Sequence, residues 1–137
     1  MDNSKIVESL NRARARELRA VLEYMAYHYL ADGLASPEII EKLKETAKVE
    51  MTHAESLGER INYLGGEPTM KPDEFTRARD LKGMIESALR LEEQAVVMYK
   101  EIIQLCAAQG DPTSRLLMEK LLSDEEEHVH TWQKLLA

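Results

Sequence analysis

Apolar residues in this chain return at helical spacing. In the first thirty residues Ala13, Ala20, Tyr24 and Tyr27 fall on one face, and Leu43, Ala47, Ala54 and Leu57 do the same further on. Breaks in the pattern coincide with start and stop signals. The first helix is predicted from the capping pair Asn3-Ser4 to about Ala31, with Gly33 as its stop. The second opens at Ser36-Pro37, a capping residue with proline at the first helical position, and ends near Leu64 before Gly65-Gly66. A third runs from Asp80 to Gln109 and is stopped by Gly110; Asp111-Pro112 opens a fourth that reaches almost to the last residue. Runs of β-branched residues are missing, only 5% of residues are aromatic and six are glycine, which predicts an all-α chain.

The connections inside each helix pair are a few residues long, so each pair is an antiparallel hairpin. Residues 65–79 are different. Gly65, Gly66, Pro68 and Pro72 break helix there, yet the segment is long. Fifteen extended residues reach about 50 Å, and a helix of this length spans roughly 40 Å. The segment can therefore cross the whole bundle and set the second helix parallel to the third, with the hairpins related by a two-fold axis. Residues 1–137 fit one domain of ordinary size.

The hydrophilic residues on these faces carry the chemistry. Glu17-x-x-Ala20-x-x-x-Tyr24 returns 75 positions later as Glu92-x-x-Ala95-x-x-x-Tyr99, and Glu50-x-x-His53 returns as Glu125-x-x-His128. The helix starts Ser36-Pro37 and Asp111-Pro112 keep the same offset, so the repeat is a whole hairpin. Residues three apart share a helix face, so each Glu-x-x-His pair offers a carboxylate oxygen and an imidazole nitrogen to one ion. A glutamate can also bridge two ions by sharing its two oxygens, while Glu17 and Glu92 would close the outer sides. Tyr24, about two turns beyond Glu17, can hydrogen-bond a ligating carboxylate. Four carboxylates and two imidazoles are the set that a pair of ions takes inside a four-helix bundle, and the mixed oxygen and nitrogen donors suit iron, manganese or zinc.

One Glu-x-x-His is as well explained by a solvated helix face. The set is not, because all six residues keep one offset and lie on faces otherwise apolar, where carboxylates without a cation would carry a large desolvation cost. The offset also chooses Glu92 over Glu93, and Glu125-His128 over Glu127-His130. His130 is left as a flanking residue, or a residue on an iron-entry path. The net charge of -7 and pI near 5.2 argue against a nucleic-acid or anionic-membrane coat. One cysteine, Cys106, cannot form a disulfide framework or a rubredoxin-type site and is expected to be a small buried hydrophobe. The opening MDNSKIVESL has no apolar stretch of a signal peptide, and a cytoplasmic protein is expected.

These residues resemble those of the bacterioferritins. Arg16-Glu17-Leu18-x-Ala20-x-x-x-Tyr24 is similar to the family's first-helix motif, Glu50-Met51-Thr52-His53-Ala54 to its E-M-x-H-A segment, and Asp124-Glu125-Glu126-Glu127-His128 to its D-E-E-G-H segment, with Glu127 in place of glycine. The resemblance spans about residues 10–135. It implies a ferritin-like four-helix bundle with a ferroxidase centre of two iron ions per subunit. Such a centre oxidises Fe(II) with O2 or H2O2 inside a hollow homo-oligomeric shell that stores and detoxifies iron. It also assigns bridging of the two metals to Glu50 and Glu125.

The resemblance implies a second cofactor. In the family, the methionine of E-M-x-H ligates haem at a subunit two-fold axis, one from each partner, which would make Met51 an axial ligand and give one haem per dimer. A thioether is a reasonable ligand for haem iron. Met51 follows Glu50 by one residue and so points about 100° away from the metal face. Leu18, Val21, Leu22, Met25 and Tyr29 form a second apolar stripe on the first helix, which implies a buried interface. Two departures bear on assembly and iron traffic. The sequence ends nine residues after His128, without the family's short fifth helix, which favours a twelve-subunit shell over one of 24. The family's inner-surface His and Asp are replaced by Glu45 and Val49. Arg12, Arg14, Arg16 and Arg19 read as a solvated or inter-subunit basic run, or as partners of haem propionates or of a neighbouring subunit's acidic residues, and Trp132 as a core or interface anchor. The competing functions are a rubrerythrin-like peroxidase or a manganese catalase on the same dinuclear site without mineral storage, and a non-enzymatic haem-binding or structural bundle.

Overall fold

The computed structural model describes residues 2–137. It contains four helices: α1 (Ser4–Leu30), α2 (Pro37–Tyr63), α3 (Leu81–Ala108) and α4 (Pro112–Leu136). Each of the last three is capped by the residue that the sequence marks. Ser36 accepts from the Ile39 amide, Asp80 from Gly83 and Asp111 from Ser114, satisfying amide donors that a helix start leaves open. The first helix differs: the Asn3 side chain makes no capping bond, and Asp2 Oδ1 instead accepts from the Ser4 amide at 2.9 Å. Gly65 and Gly110 take φ of +86° and +71° where the chain leaves α2 and α3, a left-handed conformation that a side chain would strain.

Helices α1 and α2 pack together, as do α3 and α4, and the two hairpins meet through α1 against α3 and α2 against α4. The crossover between Leu64 and Asp80 is non-helical and lies along α1 from one end to the other. Asn11 bonds Glu67 and Thr69, the Asp73 amide donates to the Ala15 carbonyl, and the Ala78 amide donates to the Tyr27 hydroxyl. The chain thus leaves α2 beside the start of α1, travels to the far end of α1 and enters α3 there. That path makes α2 parallel to α3, as the length of the segment predicts. Arg14 pins the crossover: its guanidinium donates to the Thr69 carbonyl at 2.8 Å and to the Ala54 carbonyl on α2. Gly58 leaves room for it, since a Cβ there would lie 3.1 Å from Arg14 Nη1.

The apolar interior is divided. One cluster holds Ile6, Leu10, Leu57, Ile61, Tyr99, Ile102 and Met118; the other holds Tyr24, Tyr27, Leu43, Met84, Leu91 and Trp132. Between them lies a layer of buried charge: Glu17, Glu50, Glu92 and Glu125 are each 0% exposed. Trp132 and Cys106 are likewise 0% exposed and belong to the core.

Candidate metal centre

Every helix contributes to the charged layer. Glu17 comes from α1, Glu50 and His53 from α2, Glu92 from α3, and Glu125 and His128 from α4, all buried. Their donor atoms form two overlapping groups. One is Glu17, Glu50, His53 and Glu125; the other is Glu50, Glu92, Glu125 and His128; within each group one atom per residue lies within 4.8 Å of the others. The groups share only Glu50 and Glu125. Two ions held this way would be bridged by those two carboxylates and closed at either side by a Glu and a His. Glu93, Glu127 and His130, the alternatives that the 75-residue offset sets aside, are exposed.

Two details test whether the residues suit a cation. Among the described residues, Glu50 Oε1 and Glu125 Oε1 are buried oxygens that accept no hydrogen bond, a costly state for a carboxylate in a dry interior. Both face the imidazoles. Glu50 Oε1 lies 3.2 Å from His53 Nδ1 and 3.8 Å from His128 Nδ1. Glu125 Oε1 lies 3.0 Å from His128 Nδ1 and 3.9 Å from His53 Nδ1. The donor set therefore fits a pair of divalent transition ions.

The outer face of one imidazole is fixed. His53 Nε2 donates to Asp124 Oδ2 at 2.7 Å, which turns Nδ1 toward Glu17 and Glu50 and fixes the ring that would ligate. Asp124 stands in the sequence only as part of the Asp124-Glu125-Glu126-Glu127-His128 segment, and nothing in the repeat marks it, because its counterpart is Val49. The tyrosines also divide their work. Tyr99 donates to Glu17 Oε2 at 2.6 Å, whereas the hydroxyl of Tyr24, its counterpart, accepts from Trp132 Nε1 at 2.9 Å. The contact that the spacing gave to Tyr24 is here made by Tyr99.

The reading of the arginines as one solvated or inter-subunit run is corrected. Arg14 and Arg16 are 8% and 3% exposed. Arg19 pairs with buried Glu23 at 3.1 Å, which also accepts from Tyr27 and Ser87; Arg12 alone of the four is exposed. Arg16 turns inward because it sits three residues after Ala13 and four before Ala20, on the buried face of α1. Its Nη1 donates to Glu17 Oε1 at 3.0 Å and Glu50 Oε2 at 2.9 Å, and to Glu125; its Nη2 donates to Glu92.

This crowding shifts the titrations. Burial and the charges of Glu92 and Glu125 push Glu50 up to about 8. Burial also raises Glu17 and Glu125, each with a neighbouring glutamate adding to it. Burial acts against ionisation of Glu92 too, but the charges of Arg16 and His128 outweigh it and lower that group. Burial opposes charge on the imidazoles, yet the adjacent carboxylates of Glu17 and Glu50 carry His53 up to about 12. Those of Glu125 and Glu92 carry His128 to about 10. Ion binding at Nδ1 would therefore release protons.

Four helices with one long crossover and a doubled Glu plus Glu-x-x-His set define the class of ferritin-like carboxylate proteins. The ferritin-like domain family matches residues 7–137. Bacterioferritin of Desulfovibrio desulfuricans is 34% identical over 133 residues, covering 96% of this chain and 74% of that one. Rhodobacter capsulatus bacterioferritin is 32% identical over 128 residues, 93% and 80% of the two chains. The D. desulfuricans X-ray structure, whose diiron site was seen in different catalytic states, superposes with a TM-score of 0.94 at 32% identity over 98% of this chain and 79% of that one. The R. capsulatus structure, with a metal-free dinuclear site and haem iron in a crystallographic special position, gives 0.94 at 30% identity over 99% and 86%. The chain belongs to the bacterioferritin family.

Proposed function

We propose that this chain, as one ferritin-like domain over residues 1–137, oxidises and stores iron at a dinuclear centre. The observation that carries the reading is the sharing of Glu50 and Glu125 between two otherwise separate ligand groups. Glu50 and Glu125 would be shared by the two ferrous ions, with Glu17 and His53 holding one and Glu92 and His128 the other. Each ferrous ion gives up one electron. Those two electrons, with two protons, reduce dioxygen to hydrogen peroxide, or hydrogen peroxide to two waters. The chain's own part is to hold the ions close together and to keep bulk water out with the flanking apolar clusters. The bacterioferritin likeness favours storage over a peroxidase or manganese catalase on the same residues.

Storage needs an enclosed volume, so the protein assembles as a homo-oligomeric shell of two-fold dimers in the cytoplasm. No helix of the described residues is long and apolar enough to cross a membrane. Haem would be held between two subunits by Met51 from each partner. Met51 is 43% exposed, beside a helix α1 whose Leu22 and Tyr29 are also exposed, so the thioether and an apolar surface both face outward. When bound, haem supplies a one-electron couple for stored iron.

Anaerobic addition of Fe(II), followed by oxygen, tests the centre. The parent should bind two ions per chain and oxidise them. Glu50→Ala and Glu125→Ala should each slow oxidation by on the order of 100-fold, because each removes a ligand of both ions. Parent rates in both variants would reject the dinuclear reading.

A further inference from the structure

Arg16 is the one strongly basic group inside the ligand layer. It is 3% exposed and donates to all four ligand glutamates. The second Nη2 contact, 3.3 Å to the Leu91 carbonyl, reaches the residue at its own repeat counterpart. The guanidinium carbon sits 5.9 Å from the centre of the Tyr99 ring. Only its Nη ends are engaged: Nε is buried and unpartnered among the described residues. The oxygens that Arg16 holds, one from each glutamate, belong to the carboxylates that would ligate ions.

We propose that Arg16 is a resident cation of this site, one that competes with the metals and must swing out before two ions can be held. This rests on the dinuclear reading and adds a step to it. Two divalent ions bring four positive charges against four carboxylates. A guanidinium left among them would be a fifth, unbalanced charge in a dry interior. One ion leaves room in the charge balance for Arg16; the second does not. The exchange also has a thermodynamic consequence. Whatever stabilises the metal-free arrangement subtracts from ion affinity by the same amount, as for any protein whose binding-competent state is only partly populated. Arg16 thus keeps four buried glutamates folded without metal and lowers the affinity for ions, the second above all. The first hairpin supplies this cation alone, since the counterpart position in the second hairpin is Leu91.

Co(II) is the probe, because its visible absorption reports ligation without turnover. The parent and Arg16→Gln are stripped with chelator, titrated with Co(II) and melted with and without it. In Arg16→Gln the second Co(II) should bind on the order of 10-fold tighter or more. The metal-free form should melt lower by on the order of 10 °C, and Co(II) should restore most of that loss. Equal or weaker Co(II) binding in the variant, with two ions still bound by the parent, overturns the role of Arg16 and leaves the dinuclear centre standing. Absence of Co(II) binding in both proteins rejects the dinuclear centre, and the exchange falls with it. If Arg16→Gln does not fold, crystals of the parent decide. Soaked with Co(II), they should show the guanidinium away from Glu17, Glu50, Glu92 and Glu125. Two ions bound with Arg16 still on those carboxylates overturns the proposal, as does a single ion at saturation.

Discussion

Hairpin α1–α2 brings Glu17, Glu50 and His53 to the centre, and hairpin α3–α4 brings Glu92, Glu125 and His128 from positions 75 residues on. Around these matching ligands the halves part company. The first has Arg16 where the second has Leu91, and Met51 where the second has Glu126; the second has Asp124 where the first has Val49. What two ions need twice is present twice. What differs is a countercharge, an outward-facing thioether and an anchor for one imidazole, each of which occurs once per chain. The centre is therefore symmetric in its donors and asymmetric in the groups that orient and neutralise them. The two ion positions should differ in affinity even though their ligands match.

The largest effect expected from breaking this comparison concerns the unpaired thioether. Met51→Leu should abolish haem binding, seen as complete loss of the haem bands in the reduced protein, while leaving Fe(II) oxidation at the parent rate. Glu126→Leu, at the corresponding place in the second hairpin, should leave both unchanged. Haem bands that persist in Met51→Leu would remove the proposed axial ligand without touching the ferroxidase.

Next in size is the imidazole anchor. Asp124→Ala frees Nε2 of His53 and should weaken the ion position that His53 serves by roughly 10- to 100-fold, narrowing the gap between the two steps of a Co(II) titration. Val49→Asp, which offers His128 a similar anchor, should move the steps together. A uniform loss at both positions in Asp124→Ala would mean that Asp124 acts on the site as a whole.

The helices and the six residues of the buried cluster are legible in the period and the 75-residue offset, and the crossover in its glycines, prolines and length. The features that escaped are the ones without a counterpart. Arg16 reads as one of four arginines in a charged run, and its neighbours Arg12 and Arg19 disguise it. Its place between Ala13 and Ala20 on the buried face was the available signal. Asp124 precedes a ligand by one residue and points to a different helix, a contact that depends on how α2 and α4 pack. Tyr24 and Tyr99 are equivalent in sequence, and only the presence of Trp132 beside Tyr24, stacked with ring centroids 5.7 Å apart, separates their hydroxyl partners.

The smallest effect lies at the hairpin turns, where the same Ser/Asp-Pro start is built with different strength. Ser36 accepts one bond, from the Ile39 amide at 3.4 Å. Asp111 accepts from the Ser114 amide at 3.0 Å, from the Ser114 hydroxyl at 2.6 Å and from Arg60 Nη2 at 2.9 Å, which ties α4 to α2. Loss of a cap costs about 0.5–2 kcal/mol, so Asp111→Ala should lie near the top of that range and Ser36→Ala near the bottom, read from urea midpoints of the chelated protein at pH 7. Acid separates them further. Burial works against the charge on Asp111, but its bonds to Ser114 and the Arg60 guanidinium hold the carboxyl below its ordinary value. A carboxyl depressed in the folded state stabilises fully above its unfolded pKa, about 3.9, and that stabilisation is lost as pH falls through the lower folded value. The gap between the parent and Asp111→Ala should therefore shrink on acidification below about pH 4. The gap for Ser36→Ala, where no proton is involved, should stay constant. A gap at Asp111 that does not change with pH would assign its strength to the neutral hydrogen bonds alone and make the two turns equivalent in kind.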